Sequence, residues 1–156
     1  MPRIIARLIM LTCCILLLGA SPVCAHDDIS LHRSCSQCGM DRKMYGYSRM
    51  LIRYEDGTST GVCSIHCAVT AMNEHKDTRI GSILVADRES RELILADKAF
   101  WVTGGRKRGV MTGNPKWAFA TSAAAAAFIA ANGGQQSSWN EVLAAAREDA
   151  APMPRR

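Results

Sequence analysis

Four cysteines in two close pairs hold the chemistry this chain can perform. One pair lies in Cys35-Ser-Gln-Cys38-Gly39-Met40, the other in Cys63-Ser-Ile-His66-Cys67. Thiolates separated by two residues converge on one ion, and a glycine directly afterwards permits the tight turn of a metal knuckle. Met40 and Met44 follow the first pair, His66 sits inside the second, and Met111 stands in a distant loop. Four chemistries fit these residues: structural zinc on four thiolates, structural disulfides, a redox-active pair, or carriage of a soft metal. The methionines favour the last, because thioether plus thiolate is a Cu(I) ligand set and zinc does not use thioether. The candidate ligands are Cys35, Cys38, Met40, Cys63, Cys67 and Met111, with His66 and Met44 in reserve. Zinc stays the alternative ion.

The elements that must position these side chains are legible around them. From Tyr47 to Tyr54 the pattern alternates, with Ser48, Met50, Ile52 and Tyr54 on the apolar face and Tyr47, Arg49, Leu51 and Arg53 on the other, as in a strand with one face on the core. Glu55-Asp56-Gly57 is a hairpin turn signal, and Thr58 to Val62 returns as the partner strand. Ser64 suits a helix N-cap ahead of Ala68-Val69-Thr70-Ala71-Met72. Cys63 then sits at a strand end and Cys67 one turn into a helix, where the helix N-terminus lowers a thiol pKa. Knuckle, hairpin and helix together make a treble clef.

The second half repeats this outline. Strands are expected over 80–86, 93–96, 99–103 and 116–121, with Trp101 buried or half-buried. Thr121 or Ser122 caps an alanine helix over 123–131 that Asn132-Gly133-Gly134 ends. Gly104 to Gly109 resembles a phosphate loop in composition but lacks the fixed spacing, so no nucleotide role is assigned. Residues 135–138 read as a linker, Ser138 as the cap of a helix over 139–147, and residues 150–156 as a disordered tail. The expected fold is α+β: two similar small ββα(β)-type units, about 32–76 and 80–134, with a treble-clef-like cysteine-rich N-terminal half.

Composition bounds the rest. The chain has 156 residues, 48% of them hydrophobic, enough for one domain or two small units sharing a core. Residues 1–25 carry Arg3 and Arg7, an apolar run from Leu8 to Leu18, and Val23-Cys24-Ala25, the pattern of an export signal with a cleavage site. The apolar run is too short to span a bilayer, so no transmembrane span is expected in the mature chain. Cleavage after Ala25 removes three of the seven cysteines, and His26 becomes an amino terminus able to chelate copper through its amine and imidazole. Acylation of Cys24 is the competing outcome and would make the protein a lipid-anchored one. Loss of Arg3 and Arg7 lowers the net charge of +5 by two. So mild a charge does not argue for nucleic acid, and the one basic cluster, Arg106-Lys107-Arg108, reads as a solvated loop.

The motifs Cys35-x-x-Cys38-Gly39-Met40, Cys63-Ser-Ile-x-Cys67, Met111-x-Gly113, Phe119-Ala120-x-Ser122 with Phe128, and Gly133-Gly134 resemble the NosL family across about residues 32 to 134. That resemblance implies an exported Cu(I)-binding accessory protein for nitrous oxide reductase, built from two similar ββαβ-type units, with Met111 as a copper ligand. The chain differs in carrying both knuckle cysteines within a full set of four. The resulting expectation is a non-enzymatic periplasmic metallochaperone that passes Cu(I) between a copper transporter and a client copper enzyme. The alternatives are a structural zinc treble clef that mediates protein interactions, and a periplasmic thiol oxidoreductase.

Overall fold

The structure, a computed structural model, describes residues 27–150. The expected leader over residues 1–25 with Cys24, the expected mature terminus at His26, and the residues from 151 onward lie outside the described residues. The chain runs α1 (Asp27–Leu31), β1 (Met50–Tyr54), β2 (Ser59–Val62), α2 (Ile65–Glu74), β3 (Ile80–Ala86), β4 (Leu93–Leu95), β5 (Phe100–Thr103), β6 (Lys116–Phe119), α3 (Ser122–Asn132), β7 (Gln135–Ser137) and α4 (Trp139–Ala150). No described helix is long and apolar enough to cross a membrane.

Two hairpin–helix–strand units follow one another. In the first, β1 is flanked by β2 and β3, and α2 connects the two flanking strands. In the second, β5 is flanked by β6 and β7, connected by α3. All pairings are antiparallel, and β4 extends the first sheet to the order β2-β1-β3-β4. The fold is thus the α+β pair of like units that the sequence pattern predicts. The strand over 80–86, grouped by sequence with the second half, hydrogen-bonds to β1 and completes the first sheet.

Turn chemistry sets the first hairpin. Gly57 has φ +86°, and the Tyr54 N–H donates to Thr58 O at 2.9 Å across the turn. The strand is shorter than its alternation suggests, beginning at Met50, because Tyr45 to Ser48 turn upon themselves through a Ser48 N–H···O=C Tyr45 bond of 3.0 Å. Its inward face is as read, with Met50, Ile52 and Tyr54 buried. The other face is largely covered too: Leu51 and Arg49 are buried, and only Arg53 of the strand is exposed.

The stretch 135–137 is a strand and not a linker. Polar and short, it carries no periodicity, but the free edge of β5 supplies partners, with Trp101 opposite Ser137 and Thr103 opposite Gln135. Gly134 makes the approach possible: its φ is +96°, and a Cβ there would lie 2.9 Å from Thr103 O. Helix α4 also runs beyond the expected end, to Ala150. Asp149 in its last turn accepts from Lys116 Nζ at 2.5 Å and Thr112 Oγ1 at 2.6 Å, which holds that turn on the second unit. Its start is a capping box, in which Ser138 Oγ accepts from Glu141 N and Glu141 Oε2 accepts from Ser138 N.

Strand β5 divides the core by its period of two. Trp101 faces the larger cluster with Met50, Ile52, Val62, Val85, Val142 and Ala146. Val102 faces a smaller one with Trp117, Phe119, Ala125 and Phe128 beneath α3. Trp101 donates its indole N–H to Ala96 O at 2.8 Å and stacks on Trp139 at 5.5 Å, so α4 closes the larger cluster.

Candidate metal centre

The knuckle is formed by backbone before any side chain contributes. Cys35 N donates to Met40 O at 2.8 Å, Gly39 N donates to Cys35 O at 2.9 Å, and Ser34 and Asp41 pair as a single bridge. Gly39, with φ +75°, takes the left-handed position that turns the chain back. Cys63 follows β2, and Cys67 sits in the first turn of α2. The hairpin fixes one cysteine pair and the knuckle the other. Ser36 N donates to Gly61 O at 3.1 Å and locks the two together.

The four sulfurs meet. All lie within 4.8 Å of one another, with Cys38 and Cys63 Sγ 3.5 Å apart and Cys63 and Cys67 Sγ 3.7 Å apart. A tetrahedral thiolate site with metal–sulfur bonds of about 2.3 Å has sulfur–sulfur edges of about 3.8 Å, so this group fits one ion. None of the four is in a disulfide. Cys35, Cys63 and Cys67 are buried, and Cys38 is exposed.

The thiols are not equivalent. Hydrogen bonding from Cys67 leads the effects that hold the Cys63 thiol down at about 5, with Cys38, Cys35 and Ser64 adding to it against the cost of burial. Burial and its cysteine neighbours push Cys38 up to about 11. The hydrogen bond to Cys63 and burial raise Cys67 far above the ordinary thiol value. The sequence pattern placed the activated thiol at the helix start. In the structure the thiol held down is Cys63, just ahead of the helix, through hydrogen bonding first with Cys67 and then with Cys38, Cys35 and Ser64. Ser64 is the N-cap residue of α2 as expected, yet makes no side-chain cap bond. Its Oγ lies 3.9 Å from Cys63 Sγ instead.

The remaining sequence candidates are not part of the sulfur group. Met40 is half-buried and packs on the core beside the knuckle. Met44 is 72% exposed on a turn that Asp41 caps through the Lys43 and Met44 N–H groups. Met111 is 43% exposed and holds φ +58°, a left-handed conformation unusual for methionine. His66 is outside the sulfur group, and its Nδ1 is buried with no hydrogen-bond partner among the described residues.

Sequence reasoning missed the charged cluster that braces the centre. Asp28 of α1, Arg42 after the knuckle and Arg49 before β1 are all buried. Arg42 donates to Asp28 Oδ2 at 2.8 Å and to the carbonyls of Val62, His32 and Met50 at 3.2, 2.6 and 2.9 Å. Arg49 donates to both Asp28 oxygens at 3.0 Å. One guanidinium thus ties the N-terminal helix, the knuckle and the residue before Cys63. The missed signal is the pair of arginines flanking the Met44–Ser48 turn, which look solvated unless a buried acid is available.

Fold and site together define a small α+β protein of two like units, with a four-thiol group suited to one metal ion on the first. Residues 26–146 match the family model described as NosL, and the chain belongs to the NosL family. The crystal structure of the copper chaperone NosL from Shewanella denitrificans is similar in fold, with a TM-score of 0.56 and 20% sequence identity, over 81% of this chain and 97% of that one. No curated protein matches the chain.

Proposed function

We propose that the chain is an exported carrier of Cu(I), acting in the periplasm as a metallochaperone and not as an enzyme. The carrying observation is the asymmetry of the thiol group: three sulfurs are buried and one, Cys38, is exposed. Buried thiolates hold a soft ion tightly, and an exposed one is where an incoming ligand can replace it. Membership of the NosL family and the fold shared with a copper chaperone support copper as the cargo. The ion sits among Cys35, Cys38, Cys63 and Cys67, with Met40 beside the knuckle and exposed Met111 as thioether ligands during exchange. His66, Met44 and a mature terminus at His26 are auxiliary donors. A copper transporter supplies the ion, and a client such as nitrous oxide reductase receives it. Cleavage of the leader, or acylation of Cys24, places the carrier in the periplasm or on its membrane.

A structural zinc site is the second reading, favoured by sulfur spacings of 3.5 and 3.7 Å that suit a closed tetrahedron. Anaerobic titration of the reduced protein with Cu(I) and Zn(II) against competing chelators separates the two. Tight Cu(I) binding that Met40→Ala and Met111→Ala weaken supports the carrier. One zinc per chain, indifferent to both methionines and required for folding, refutes it.

A further inference from the structure

The fold gathers a second group of functional side chains, away from the thiols. A cavity of about 270 Å³ is lined by Tyr47, Arg88, Arg91, Lys107, Arg108 and Trp117. These residues come from four separate stretches of the chain. Four of the six are cationic, and no carboxylate lines the cavity. Glu89 and Glu92 share the β3–β4 turn with the two arginines but do not line the space.

The walls are fixed. Asp87 accepts from Ser90 N and Oγ at 2.7 Å and from Ala120 N at 2.9 Å, which clips the β3–β4 turn to the end of β6. Arg88 N donates to Ala118 O at 2.9 Å, and its guanidinium lies over the rings of Trp117 and Phe128, 5.1 and 4.8 Å from their centroids. Arg91 has φ +63°, and its carbonyl accepts from buried Arg49 at 2.7 Å. Glycine or asparagine would occupy that conformation with less strain, yet the position carries an arginine at the edge of the cavity. Strain of this kind held in place by neighbours marks functional positions.

A further observation points to a ligand. Trp117 is only 3% exposed, and its indole N–H has no hydrogen-bond partner among the described residues. The Arg88 Nε–H in the same wall also lacks one. Four cations lining a cavity that no carboxylate lines, with two unsatisfied donors buried behind its wall, form an acceptor-seeking site.

We propose that this cavity binds an oxyanion group, a carboxylate or phosphate, with Arg91 and Arg108 engaging its charge against the fixed Arg88–Trp117 wall. The group comes either from a free small anion or from an acidic side chain of a docking protein. Calorimetric titration of the purified protein in about 0.15 M salt, where surface steering is screened, tests this with inorganic phosphate, succinate and a short polyglutamate peptide as probes. Saturable binding is expected, weakened about tenfold or more by Arg108→Gln and by Arg91→Asn. It is unchanged by Arg106→Gln, since Arg106 caps α3 through Ala131 O and lies outside this cavity. Binding of phosphate or succinate assigns a free anion, and binding of the peptide alone assigns a protein partner. Absence of saturable binding by all three probes, or an equal loss in Arg106→Gln, overturns the site.

Discussion

Replacing Asp28 with asparagine tests whether the buried charge cluster braces the metal centre. Asp28 receives three hydrogen bonds from two guanidinia, at 2.8, 3.0 and 3.0 Å, and Arg42 and Arg49 have side chains 0% and 1% exposed. Asparagine keeps the shape but only one acceptor. If its oxygen stays on Arg49 Nη2, its amide nitrogen faces two N–H donors, so two of three charge-assisted bonds are lost. At roughly 1.5–3 kcal/mol each, and with buried Arg42 losing the carboxylate it pairs with, the expected cost is about 3–5 kcal/mol. With a urea slope of about 2 kcal/mol/M, the unfolding midpoint of the metal-free protein drops by roughly 2 M. The pH dependence gives a second check. Burial pushes the Asp28 carboxyl up, but Arg49 and Arg42 outweigh it and hold it below its ordinary 3.8. A depressed carboxyl contributes stability above its unfolded pKa and loses it as pH falls through the folded value. The gap between wild type and variant should therefore be full at neutral pH and close below 3.8. A change under about 1 kcal/mol at neutral pH, or a gap that is constant into acid, refutes the reasoning.

Gly61→Ala should cost about 1–3 kcal/mol in the same assay, because its Cβ would sit 2.4 Å from His32 Cβ and 2.8 Å from the Arg42 guanidinium. Trp101→Ala should cost about 3–5 kcal/mol, with loss of the Trp139 stacking signal in near-ultraviolet circular dichroism, since Trp101 is 1% exposed and bonded to Ala96 O. Metal loading in a weakly buffered solution should release protons from Cys38 and Cys67 but none from Cys63, whose thiol already stands at about 5. Apparent affinity should thus climb across roughly pH 6 to 8, and a flat profile in a pH-resolved chelator competition contradicts this assignment. A ligand at a hundredfold excess over its dissociation constant should add roughly 2.7 kcal/mol to wild-type stability, and Cys63→Ser should remove most of that gain in thermal melts.

What the sequence made legible was local. The knuckle, the Gly57 turn, the strand over 80–86 and the Thr121 cap each follow from a few adjacent residues whose preferences the fold keeps. What stayed hidden depends on distant partners. Residues 135–137 become a strand only because β5 has an open edge. Arg49 reads as a solvent-facing strand residue until Asp28 arrives from α1, on a segment that composition makes look frayed. The basic loop 106–108 reads as solvated because Arg88 and Arg91, which share its cavity, stand some fifteen or more residues away in sequence. At the centre itself, spacing pointed to the four cysteines that the fold gathers, but which thiol is held down depends on the hydrogen bonding among them.

The internal repeat explains why, among the described residues, only the first unit gathers the four thiols. When the N-caps Ser64 and Thr121 are superposed in sequence, Cys63 and Cys67 fall on Ala120 and Ala124. The hairpin–helix junction is therefore a general scaffold, and sulfur is what one copy adds to it. The caps show the consequence. Thr121 accepts the Ala124 N–H at 3.2 Å, the ordinary role of a capping hydroxyl. Ser64, in the same place, makes no such bond; its Oγ lies 3.9 Å from Cys63 Sγ and is among the groups that hold that thiol down. A cap is worth about 1 kcal/mol to a helix. The first unit gives that up for a negative sulfur at its helix start, which the helix dipole also favours. Cys63→Ala should therefore let Ser64 turn back onto the Cys67 N–H and recover the cap, partly offsetting the packing lost. A Cys63→Ala, Ser64→Ala double variant distinguishes the cases: the Ser64 change should cost about 1 kcal/mol more without Cys63 than with it, and equal costs in both backgrounds would show that the hydroxyl does not serve the sulfur.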